Sequence, residues 1–272
     1  MNDLLTLDAP SVTHGPTAPR EFAAELTDTG NGRALVRFTN PSDHQRNVEL
    51  ALGLLSSLGP VISVYPDDGC WSDLSVRTDA DPGRTHGTGE NRLHVDLVDR
   101  TQSPRYIALY CVRADPAGGG ASALSDLWAA AEALTATDRD LLRQSVFGYF
   151  ADKGVHGVGE SLPRFAVLPR PLDGRAPIRF TSKMLPHLQR GELLEPDGHP
   201  ASCVAAAFGR LVDAAYQYRA TVRLAPGELL VFDQWRYAHG RMPLGQGQAA
   251  LAPQERRLLK QTYVAAAAGG AR

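Results

Sequence analysis

Apolar and polar residues run in short blocks along the 272-residue chain, and Gly or Pro closes most of the blocks. Residues 34–38 (Ala-Leu-Val-Arg-Phe) read as a strand ended by the turn former Asn40-Pro41-Ser42-Asp43. Residues 48–58 are apolar at helical spacing and stop at Gly59-Pro60. Strands are predicted at 61–65, 92–98 and 106–112, with an exposed loop rich in Gly and charge over 77–92. The turn Gly118-Gly119-Gly120 leads to a predicted helix from about 125 to 134, and Thr137 with Asp140 forms an imperfect capping box for the next. Prolines break up 150–200, which still holds strand-like segments at 165–168 and 178–180. Residues 203–219 are amphipathic and helical, and 220–224, 229–233 and 258–264 return to strand. Residues 1–19 read as an irregular arm and 265–272 as a flexible Ala/Gly tail. Short strands with a few inserted helices, and no parallel βαβ series, predict a mainly β core in a single domain over 1–272.

Composition narrows the classes. Hydrophobic residues at 43% and charged residues at 21% are ordinary globular usage, which excludes a disordered chain. A net charge of −2 with no block of one sign argues against nucleic acid as partner. No apolar run is long enough to span a membrane, and a soluble, cytoplasmic protein is expected. Cys70, Cys111 and Cys203 are odd in number and far apart, so a disulfide framework or zinc ribbon is not expected; all three read as buried small hydrophobes.

Phosphate-loop, zincin, α/β-hydrolase and dinucleotide signatures are absent from the sequence. His94-Val95-Asp96 falls in a predicted strand, where residues two apart share a face, so imidazole and carboxylate can converge on one ion. Such a pair arises by chance in a chain with eight histidines and carries little weight alone. A distant strand, however, runs from 229 through Asp233 to His239-Gly240-Arg241 and offers a second imidazole. Two imidazoles and one carboxylate on one face of a metal leave adjacent positions open, the arrangement of non-haem Fe(II) oxygenases. Arg256-Arg257 opens the last strand, and a guanidinium there can hold a carboxylate bidentately.

In this order the pieces resemble the Fe(II)/2-oxoglutarate-dependent oxygenases of the taurine dioxygenase and clavaminate synthase type. The resemblance spans about 34–264 and rests on His94-Val95-Asp96, on 103–109 leading to Gly119-Gly120-Ala121-Ser122, on Pro226-Gly227-Glu228 with Asp233, and on His239-Gly240-Arg241. It implies a double-stranded β-helix (jelly-roll) core, with His94, Asp96 and His239 as ligands of Fe(II), and with 2-oxoglutarate and O2 as cosubstrates. Ser122 stands where the family binds the cosubstrate. Arg257 is the chosen anchor for its far carboxylate; with Arg257 inward, Leu259, Gln261 and Tyr263 share its face, whereas a slip of one residue would make Arg256 the anchor. The chain has Asp233-Gln234 where the family often has Asp-Asn, and Gln261 where some relatives place a second Arg against an anionic substrate. His86, Arg179 and Gln261 are expected to face a small, amino-acid-derived or other natural-product intermediate, from the loops at 77–92 and 170–200 and from the last strand. An excess of arginine over lysine fits a GC-rich bacterial source and secondary metabolism. Beside this reading stand a metal-binding β-barrel without turnover and a metal-dependent hydrolase or isomerase on the same barrel.

Overall fold

The computed structural model of the protein describes residues 5–8, 18–27, 30–78, 83–148, 154–192 and 198–267. In chain order come β1 (Leu5–Asp8), α1 (Ala18–Leu26), β2 (Arg33–Arg37), α2 (His44–Leu55) and β3 (Val61–Ile62). They are followed by β4 (Ser72–Ser75), α3 (Gly83–His86), β5 (Asn91–His94), β6 (Tyr106–Arg113) and β7 (Ser122–Asp126). Then come the helices α4 (Leu127–Glu132), α5 (Ala136–Leu142), α6 (Leu185–Gln189) and α7 (Ala201–Gln217). The chain closes with β8 (Arg219–Val222), β9 (Glu228–Asp233), β10 (Tyr237–Arg241) and β11 (Leu258–Val264).

The strands build two facing sheets. The larger runs β1-β2-β9-β6-β11-β3, with β4 also paired to β11; the smaller runs β5-β10-β7-β8. β1 lies parallel to β2, and every other pair is antiparallel. This is the double-stranded β-helix with inserted helices that the sequence implied.

Alternation along the central strands explains the layering. Leu35, Ile107, Leu109, Leu230, Phe232 and Leu259 of the larger sheet meet Leu124 and Tyr237 of the smaller one between the two sheets. Their neighbours Ala34, Val36, Ala108, Tyr110, Leu229 and Val231 point the other way, against Phe22 and Leu26 of α1 and Leu54 and Leu55 of α2. β6 is therefore covered on both faces, which is why residues 106–112 are uniformly apolar rather than alternating. The outer face of the smaller sheet, with Leu93, Ala123 and Ala238, is covered by α4, α5 and α7. The inner layer stops short at one end, and the site opens there.

Several local expectations are corrected. The N-terminal segment is not wholly irregular, since β1 adds a parallel strand to β2. The helix expected from about 125 starts at Leu127, because residues 122–126 are a strand whose backbone groups β8 and β10 claim. Asp126 caps the helix that follows, accepting from the backbone N–H groups of Trp128 and Ala129. α5 is capped by Thr135 with Asp138 three residues on, not by Thr137 with Asp140. Segments 165–168 and 178–180 make isolated contacts, such as the Phe147–Phe165 bridge, because the surrounding prolines remove ladder donors. Cys111 is buried as expected, but Cys70 and Cys203 are exposed. Within 77–92 the described residues include the short helix α3.

Candidate active site

The strand that ends at Asp233 does not continue to His239. It turns through Gln234-Trp235-Arg236 and returns as β10 in the other sheet, where His239 lies directly opposite His94 of β5. Side chains that face each other across an antiparallel pair are near neighbours, and the two imidazoles stack with ring centroids 4.3 Å apart. Asp96 lies just beyond the end of β5, so strand alternation is not what positions it. Leu97 follows with φ of +57°, an unusual left-handed turn for a non-glycine residue that swings the chain away immediately after the carboxylate.

One ligand atom from each of His94, Asp96 and His239 lies within 4.8 Å of the other two. His94 Nε2 is 3.2 Å from Asp96 Oδ1, and His239 Nε2 is 3.6 Å from Asp96 Oδ2. His94 Nδ1 lies 2.7 Å from the Arg92 carbonyl, which can only accept, so Nε2 is the ring atom left to share a proton or an ion with Asp96. Burial, reinforced by His94, pushes His239 down to about 3, so its imidazole is neutral at physiological pH and keeps a lone pair. Burial alone would raise the Asp96 carboxyl, but His239, His94 and the Tyr263 hydroxyl outweigh it and hold it well below the usual carboxylate range. Two imidazoles and an ionised carboxylate converging at this spacing are the donor set that Fe(II) takes. The side chains present fit the metal.

The three residues border a cavity of about 660 Å³, a size suited to small molecules. Leu259, Gln261 and Tyr263 line it from β11, Arg257 from the residue just before that strand, and Ser122 from β7. The alternation carries Lys260 outward to Asp73, 2.6 Å away. The Arg257 guanidinium is 7% exposed and makes no side-chain hydrogen bond or ion pair among the described residues. Burial, reinforced by Arg241, pushes it down to about 10. Gly119 and Gly120 allow the chain to pass this close. At Gly120, with φ of +67°, a Cβ would sit 2.5 Å from Leu244 and 3.0 Å from Arg257. Arg256 lies elsewhere: its guanidinium donates to the backbone carbonyls of Leu251, Val76 and Ala249, outside the cavity.

The expected substrate residues divide. His86 lines the cavity, with Nδ1 2.8 Å from the Ser75 carbonyl. Gln261 also lines it, but its amide is turned onto Asp96 Oδ2 at 3.1 Å. Arg179 does not line the cavity. Its guanidinium donates to the Val98 and Arg100 carbonyls and braces the turn after Asp96, which corrects the expectation that it faces substrate. Lys183, beside Thr181, lines the cavity from the 170–200 stretch, Ser72 does so from the start of β4, and Asp67 from the segment between β3 and β4. That last segment carried no signal in the sequence. Arg241 was noted only as part of a motif; it donates to the Gly87 and Gly89 carbonyls and so fastens the described part of the 77–92 loop. Gln234 was noted only as a departure. It accepts the Asp96 N–H at 3.1 Å and donates to the Pro104 carbonyl at 2.7 Å.

Compared with known families, residues 12–263 match the description "Taurine catabolism dioxygenase TauD, TfdA family". The chain belongs to this family. It is a non-haem Fe(II)- and 2-oxoglutarate-dependent dioxygenase. Solved structures agree in fold. An asparagine oxygenase in complex with Fe(II), 2S,3S-3-hydroxyasparagine and succinate superimposes with a TM-score of 0.72 at 20% identity, covering 92% of this chain and 80% of that one. The non-haem iron oxygenase OrfP, in complex with Fe and α-ketoglutaric acid, has a TM-score of 0.71 at 16% identity over 92% and 80% of the two chains. OrfP with Fe, succinate and (3S)-hydroxy-L-Arg gives 0.71 at 17% identity with the same coverage. No curated protein matches the sequence. Among the described residues no helix is long and apolar enough to cross a membrane.

Proposed function

We propose that the enzyme oxidises a C–H bond of a small, polar, amino-acid-derived molecule, with hydroxylation as the outcome. His94, Asp96 and His239 hold Fe(II), and Arg257 holds the far carboxylate of 2-oxoglutarate with help from the Ser122 hydroxyl. The observation that carries this reading is the conjunction, on one cavity, of the three-residue cluster and a buried guanidinium with no side-chain partner among the described residues. A hydrolase or isomerase on this barrel has no need of that guanidinium. The substrate class is supported by the polar cavity lining, where Lys183, Asp67 and Ser72 can meet ammonium, carboxylate or amide groups, and by the amino acids bound in the structural relatives. Both exposed cysteines are free thiols, which fits the reducing cytoplasm, and we assign the enzyme to natural-product metabolism there.

Bound by the cluster, Fe(II) would supply the redox chemistry by which 2-oxoglutarate, O2 and substrate become succinate, CO2 and hydroxylated product. The chain's own residues do the rest. Neutral His239 and ionised Asp96 present donors that need lose no proton on binding the ion. Arg257 orients the cosubstrate through a charge-assisted pair at a site where water is scarce. Ser122 adds a hydroxyl donor beside it, and the wall of Leu109 and Leu259 keeps the cosubstrate stem dry. Lys183, His86 and the segment bearing Asp67 ring the outer part of the cavity and orient the substrate.

The test is O2 uptake and succinate release with Fe(II), 2-oxoglutarate and a panel of free amino acids and their amides. Succinate formation stimulated by one panel member, with that member gaining one oxygen, is the expected result. His239→Ala should retain its circular dichroism spectrum and release no succinate. Metal binding with no O2 uptake across the panel and no 2-oxoglutarate binding would overturn the assignment.

A further inference from the structure

The carboxylate of the cluster is held from the last strand. Tyr263 Oη donates to Asp96 Oδ2 at 2.9 Å, and Gln261 Nε2 donates to the same oxygen at 3.1 Å. The two donors are themselves joined, Gln261 Nε2 to Tyr263 Oη at 3.1 Å. Both side chains are buried, at 8% and 4% exposure, and both line the cavity from β11, with Arg257 just before the strand lining it too. Gln234 secures the Asp96 backbone N–H from the other side. Oδ2 thus accepts two hydrogen bonds and lies 3.6 Å from His239 Nε2, while Oδ1 faces the His94 ring at 3.2 Å.

We propose that Gln261 and Tyr263 are positioning residues that reserve Oδ2 of Asp96, so that the carboxylate binds an ion through Oδ1 alone. The inference rests on the metal assignment above. Its physical basis is that a carboxylate free to pivot can bind through both oxygens and occupy a position needed by cosubstrate or O2, and pivoting here means surrendering two buried hydrogen bonds. It also reassigns position 261. The amide is committed to Asp96 instead of to the substrate, so a substrate anion or amide finds its partner elsewhere on the cavity wall.

The experiment measures Co(II) affinity and visible absorption, with Co(II) as an oxygen-stable substitute for Fe(II), in the full chain and in Gln261→Met, Tyr263→Phe and the double variant. Partners of this kind typically account for about 10- to 100-fold in metal affinity. Each single variant should bind Co(II) about tenfold more weakly, and the double variant about a hundredfold. The absorption bands should shift as the coordination number changes. Tyr263→Phe keeps the ring in the hydrophobic layer and decides the matter alone if Gln261→Met does not fold. Affinities within threefold of the parent, with unchanged bands, would overturn the proposal, as would lower metal-free stability with intact affinity. A parent protein that binds no Co(II) would instead sink the metal assignment.

Discussion

Arg257→Met separates stability from function most sharply. The guanidinium is buried with no side-chain partner among the described residues, and burial with the nearby Arg241 lowers its pKa from the ordinary arginine value to about 10. A base whose folded pKa lies below its unfolded value holds its proton less tightly when folded. The penalty on its charge is complete at any pH well below 10 and disappears only above the ordinary arginine range. At about 1.4 kcal/mol per unit, the shift corresponds to a penalty of about 3 kcal/mol at pH 7.5. Met is apolar and of similar reach, but it fills the space less completely, so the metal-free variant should be about 1–2 kcal/mol more stable than the parent. In a chain of this size that is a rise of about 2–8 °C in unfolding temperature. Cosubstrate binding moves the other way. Removing one side of a buried charge pair costs about 2–5 kcal/mol, so 2-oxoglutarate should bind about 30- to 4,000-fold more weakly. Calorimetry under nitrogen with Fe(II) measures this directly, and 2-oxobutyrate, which lacks the far carboxylate, should bind parent and variant alike. A variant that is less stable than the parent, or that binds 2-oxoglutarate as tightly, would refute the reasoning.

Two further substitutions test the surroundings. Arg179→Leu removes charged hydrogen bonds to the Val98 and Arg100 carbonyls, so urea unfolding should reveal a loss of about 2–4 kcal/mol, while the rank order of substrates in a competition assay stays unchanged. A change in that order would return Arg179 to the substrate wall. Gly120→Ala puts a Cβ 2.5 Å from Leu244 and 3.0 Å from Arg257 at a left-handed position. It should cost at least about 1 kcal/mol and weaken 2-oxoglutarate binding with Co(II) affinity intact; weakening of both would mean the distortion reaches the metal cluster.

Much of this protein is written in local pattern. The uniform apolar run of β6 demanded a strand buried on both faces, and the ridge of small and apolar residues in α7 demanded a helix against a core. Parity along the last strand separated Arg257 from Arg256 and aligned it with Gln261 and Tyr263, because strand side chains alternate strictly. The motif residues His94, Asp96 and His239 were legible as chemistry types at characteristic places in the chain. Their convergence was expected from the family resemblance and not from local pattern, since Asp233 and His239 are six residues apart yet belong to different sheets. Only the cross-strand pairing of β5 with β10 brings the two imidazoles together. The same holds for the end of β7, where Ser125 and Asp126 look helical until two flanking strands claim their backbone groups. It holds again for long polar side chains, whose several rotatable bonds leave their targets undetermined by sequence. Arg179 found two carbonyls and Gln261 found a carboxylate, and the tertiary neighbours made those choices.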